Sequence, residues 1–70
     1  MLKVNNLVRE HRNRRSMTQR DLAEAAGVSR QSIISIERGR YMPSLPLALK
    51  LAAILGCSTD HLFQLQEDDT

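Results

Sequence analysis

The sequence predicts an all-α domain of five short helices, to which pairing of the two chain ends would add a small two-stranded antiparallel sheet. Three observations carry this. Asn, Thr or Ser precedes each helical stretch, where a side-chain oxygen can accept an orphan backbone N–H. Apolar residues recur at spacings of three and four. Gly27 falls where one stretch must stop in a left-handed conformation, which costs glycine little, and Gly56 ends another.

Asn5 or Asn6 caps a first helix ending near Arg15, with Leu7, Val8 and His11 as its inward stripe. Thr18 caps a second helix over 19–26, and Asp21 at its third position faces the orphan amides. Ser29 caps a third helix over 30–38. Leu22, Ala26, Val28, Ile33 and Ile36 lie on the faces where these two helices meet, and the small Ala23 lets them cross closely. Together they make a helix-turn-helix over about 18–39. Ser44 caps a fourth helix over 45–55, with Pro46 tolerated in the first turn. Leu45, Ala48, Leu49, Leu51, Ala52 and Leu55 supply its apolar surface. Ser58 caps a short fifth helix through Leu62 or Phe63.

At the ends, Leu2-Lys3-Val4 and Phe63-Gln64-Leu65-Gln66 both alternate apolar and polar residues. Each is too short to be a stable strand alone. Paired antiparallel, they would put Leu2, Val4, Phe63 and Leu65 on one buried face; the alternative is two frayed termini. On this reading a single domain fills residues 1–66, and 67–70 form an acidic tail.

Seventy residues suffice for one small domain with little margin of stability. No apolar run approaches the roughly 18 residues of a membrane span. The first residues lack an apolar stretch of signal-peptide length. A single cysteine, Cys57, forms no internal disulfide, which favours a reducing compartment; a cytoplasmic location is expected. Net charge is +2, unevenly placed: all ten Lys and Arg lie in residues 1–59 with only Glu10, Asp21, Glu24 and Glu37 against them. The remaining four carboxylates, Asp60, Glu67, Asp68 and Asp69, sit at the end. A basic body with an acidic tail suits a polyanion on one face. The plain alternative is a solvated surface. Catalysis has no support: there is no Gly-rich phosphate loop and no nucleophile beside a base, and helix packing uses the apolar residues that a pocket would need. No cofactor and no small-molecule effector are expected.

Gln19, Leu22, Ala23, Gly27, Val28, Ser29, Ile33, Ile36, Glu37 and Gly39, with Pro43-Ser44 and Leu62-Phe63 beyond them, resemble the Cro-and-phage-repressor, or XRE, family of helix-turn-helix proteins. The likeness covers about residues 6–63 and is nearest to the family's small stand-alone repressors. It implies a lambda-repressor-like fold and a sequence-specific regulator of transcription, a repressor, bound to double-stranded DNA. It also implies that Arg30, Gln31 and Ser35 read bases from the major groove. Arginine can donate twice to guanine, and glutamine can pair in the same way with adenine. Gln19, at the start of the second helix, can meet a phosphate with its side chain and amide. Thr18, Ser32, Arg40 and Tyr41 are further backbone contacts, the last two where the family grips the next phosphates. For Tyr41 a half-buried ring over the core is a compatible reading. Ile34 either touches a thymine methyl or packs against the first helix. Arg14 and Arg15 can reach the DNA backbone from the first helix, but each reads better as a solvated charge. The likeness also makes Arg12 and Glu37 a structural ion pair locking the third helix onto the first.

His11 departs from the family pattern, which carries an apolar residue there. Its ring is expected to pack and its nitrogen to reach water. Metal ligation with Cys57 or His61 matches no known ligand spacing, so no metal is expected, and Cys57 reads as a small core hydrophobe. One helix reads too few base pairs for useful discrimination, so a homodimer on a near-palindrome is expected, with Leu62, Phe63 and Leu65 as apolar anchors. The competing class is a protein-interaction module such as an antitoxin or adaptor.

Overall fold

The computed structural model describes residues 2–67. In chain order these form β1 (Leu2–Asn6), α1 (Val8–Arg14), α2 (Gln19–Ala26), α3 (Arg30–Glu37), α4 (Leu45–Leu55), α5 (Thr59–Leu62) and β2 (Phe63–Glu67). Five helices and one two-stranded antiparallel sheet make a lambda-repressor-like fold, as the sequence predicts.

Local hydrogen bonding sets most helix boundaries. The hydroxyls of Thr18, Ser29, Ser44 and Ser58 each accept from the backbone N–H three residues on. Thr18 and Asp21 complete a reciprocal capping box, with both bonds at 2.9 Å. Gly27 and Gly56 stop α2 and α4 at φ near +73° and +72°. The start of α1 differs from expectation. Neither asparagine is the cap: β1 runs through Asn6, and the cap position is Leu7, without a side-chain cap bond. Asn6 instead bridges elements, accepting from Val8 N–H at 3.2 Å and donating to the Ile36 carbonyl at 2.9 Å.

The chain ends pair with Val4 opposite Leu65 and Asn6 opposite Phe63. Glu67 lies in β2, not in a tail, while Asp68 and Asp69 lie outside the described residues. The expected buried face of this sheet is not buried: Val4 and Phe63 are half-covered and Leu65 is 71% exposed. Two strands with one flank on α5 cannot enclose it.

The core is aliphatic. Val8, Leu22, Ile33, Ile36, Leu51 and Leu62 are fully buried, with Ala23, Ala26, Ala52 and Leu55 between them. On α4 the buried set is Ala48, Leu51, Ala52 and Leu55, the i, i+3, i+4, i+7 stripe of an amphipathic helix. Leu45 and Leu49, expected to share that surface, face outward at 68% and 51% exposure. Leu62 was a candidate dimer anchor, but its complete burial makes it core. No described helix is long and apolar enough to cross a membrane.

Candidate nucleic-acid interface

α2 and α3 are joined by the left-handed turn at Gly27 and pack through Leu22, Ala23, Ala26, Ile33 and Ile36. With Ile33 and Ile36 committed inward, Arg30, Gln31 and Arg38 stay exposed and Ser35 half-exposed. Gln31 donates to the Ser35 hydroxyl at 3.4 Å, so these two polar groups share one side of α3. Gln31, Ser32, Ser35 and Tyr41 line a shallow groove of about 300 Å³. The Ser32 hydroxyl bonds to that of Ser29 at 2.9 Å. Tyr41 is 45% exposed, close to the half-buried ring expected, and Arg40 beside it is exposed.

The other side of α3 borders an open cleft of about 710 Å³ running to α1 and the start of α2. Arg9, Arg20, Arg30 and Arg38 line it, together with Ile34. Among the described residues the only side-chain ion pair is Arg12–Glu37, so these four guanidiniums have no carboxylate partner. Arg38 lies on the outward face that helical spacing gives the third helix, but nothing in the sequence points to Arg9 and Arg20. The convergence of these arginines joins three helices, and spacing along one helix does not reveal it. Arg15, by contrast, donates through Nε to the Leu55 carbonyl at 2.9 Å and satisfies the end of α4.

The floor of the cleft is a closed polar network. Arg12 donates from Nε to Glu37 Oε2 at 2.7 Å and from a terminal nitrogen to Oε1 at 3.2 Å. Its other terminal nitrogen donates to the Met17 carbonyl at 2.9 Å. The Gln19 carboxamide adds a donation to Glu37 Oε1 at 3.2 Å. α1, α2 and α3 therefore meet on one carboxylate whose side chain is 5% exposed. Gln19 turns inward to this network rather than presenting its whole amide outward. At the mouth of α2, the Asp21 carboxyl is held below its ordinary value, chiefly by the Thr18 backbone N–H and then by the Thr18 hydroxyl.

An exposed polar helix, held rigidly by a partner helix and flanked by unpaired arginines, defines a DNA-binding helix-turn-helix domain. The helix-turn-helix family HTH_3 matches residues 8–62, and the chain belongs to that family. An uncharacterized HTH-type transcriptional regulator of Methanothermobacter thermautotrophicus is 51% identical over 63 residues, covering 89% of this chain and 91% of the relative. Another, from Methanocaldococcus jannaschii, is 42% identical over 66 residues, covering 94% of this chain and 100% of the relative. Among solved structures, the restriction-modification controller protein C.AhdI of Aeromonas hydrophila superposes with a TM-score of 0.74 at 36% identity, covering 80% of this chain and 85% of that one. The protein is thus a DNA-binding transcriptional regulator and not an enzyme.

Proposed function

We propose that the protein is a repressor that binds a near-palindromic operator as a homodimer, with α3 of each copy in successive major grooves. The observation that carries this is the exposed Arg30–Gln31 turn at the start of α3, Gln31 held only by a 3.4 Å bond to Ser35, on a motif whose other polar groups are largely paired internally. In this reading Arg30 and Gln31 read base edges, and Ser35 orients Gln31. Phosphates are met by the α2 start at Thr18 and Gln19, with Ser32, Arg40 and Tyr41 on the far side. Gln19 acts there through its backbone amide and its second side-chain N–H.

Dimerisation uses the exposed apolar face. Val4, Met42, Pro43, Leu45, Phe63 and Leu65 surround a hollow of about 310 Å³, with Leu65, Leu45 and Met42 each more than half exposed. Phe63 and Leu65 remain the anchors, and Leu45 and Met42 take the place of Leu62. Exposed large apolar side chains grouped in this way on a small domain mark an interaction surface.

Selection of bound sites from random duplex DNA tests the reading. Enriched sequences should be two-fold symmetric with half-sites about 10–11 bp apart, near 34 Å. A single asymmetric half-site, or retention that only tracks salt, sinks it. A monomer without sequence preference would assign the apolar face to a different protein, as in an antitoxin or adaptor.

A further inference from the structure

His11 on α1 and His61 on α5 are 50 positions apart in sequence, yet their Nε2 atoms lie 3.0 Å apart. The rings meet edge to face, with centroids at 5.0 Å and planes at 84°. The His11 nitrogen therefore meets another imidazole, not the water expected for it. Without an ion the contact is a hydrogen bond that ties the two rings to opposite tautomers, one Nε2 carrying the proton and the other bare. A metal ion uses both lone pairs. With metal–nitrogen bonds of about 2.0–2.1 Å, two nitrogens about 3.0–3.4 Å apart subtend the right to tetrahedral angle of neighbouring ligands. The observed separation lies at one end of that range. His61 is exposed and His11 half-exposed, so an ion has an open approach.

We infer that His11 and His61 chelate a divalent transition ion of the zinc and nickel class. Imidazole suits these metals and not magnesium or calcium. Among the described residues no third His, Cys, Asp or Glu joins the pair, so the protein supplies two ligands and water the others. The ion bridges α1 to α5 beside the core residues Arg12 and Leu62. It therefore stabilises the fold without being required for it.

The experiment is calorimetric titration of the untagged chain with Zn²⁺, and separately with Ni²⁺, with thermal melts alongside. Wild type should bind one ion per chain, and its melting temperature should rise with metal. His11→Gln and His61→Gln keep a hydrogen-bonding group at each place and should still fold, as metal-free melts will check. Each turns chelation into single-ligand binding and should weaken affinity by about a hundredfold. Cys57→Ser should bind as wild type. Failure of wild type to bind at millimolar metal overturns the inference. So does binding that survives both histidine substitutions, or that disappears with Cys57.

Discussion

Glu37 is the residue that fixes α3 against α1 and α2. Its carboxylate accepts from Arg12 twice and from Gln19 once, almost out of water. Taking away one partner of such a pair costs about 3–5 kcal/mol, because the other charge is left poorly solvated. Arg12→Ala and Glu37→Ala should each destabilise the fold severely, and the double variant should lose less than the two losses added. Melts of the four proteins should give a coupling of about 1 kcal/mol or more; strict additivity would contradict the observed fork. Asp21 makes a gentler, pH-dependent contribution. Its carboxyl is held below its ordinary value by Thr18, so the charged form favours the folded state. That contribution is complete above the ordinary carboxylate value and is lost as acid carries the pH down through the lowered one. Asp21→Asn should flatten the acid side of a plot of melting temperature against pH while leaving its alkaline side parallel to wild type. Two parallel acid limbs would show that the capping box does not titrate with folding.

At the scale of an element, α3 presents two unlike sides. One carries Gln31 and Ser35 beside Tyr41, and the other faces the arginine-lined cleft. Base contacts specify and phosphate contacts position. Arg30→Ala and Gln31→Ala should each relax sequence preference at one base pair per half-site, at a cost of about 1–3 kcal/mol. Arg40→Ala should weaken binding to all sequences alike and lower the slope of log affinity against log salt by about one. Binding titrations on the selected operator and on single-base variants separate these cases. An unchanged preference in Arg30→Ala would move the reading surface elsewhere. Gln19→Ala should weaken binding and also lower stability, because its carboxamide belongs to the Glu37 network.

For the molecule as a whole, two neighbouring leucines allow the proposed assembly to be tested apart from folding. Leu62 is fully buried and Leu65 is 71% exposed. Leu62→Ala should cost about 2–5 kcal/mol. That is a large share of the total stability of a domain this small. Leu65→Asp should remain folded, losing only the stabilisation that pairing adds, yet sediment as a monomer and bind an operator half-site only weakly. A Leu65→Asp protein that remains dimeric at micromolar concentration would place the two-fold contact elsewhere.

Much of this architecture is local and therefore legible in the chain. A capping hydroxyl reaches only three residues, so Thr18, Ser29, Ser44 and Ser58 announce their helices unaided. A left-handed turn needs glycine, so Gly27 and Gly56 mark where α2 and α4 stop. The i, i+3, i+4, i+7 stripe of α4 can likewise be picked out, but apolar residues nearly surround that helix. Only the neighbours it packs against decide that Leu51 is covered and Leu45 is bare. Tertiary structure also decided the beginning of α1. Asn6 could have capped that helix, but pairing with Phe63 held it in β1 and turned its amide to Ile36. The meeting of His11 with His61 and the gathering of Arg9, Arg20, Arg30 and Arg38 around one cleft arise in the same way. Hydrogen bonds and backbone sterics within a turn are properties of adjacent residues and so are written in sequence. Coverage and convergence are properties of elements brought together from distant parts of the chain, and they exist only once the chain has folded.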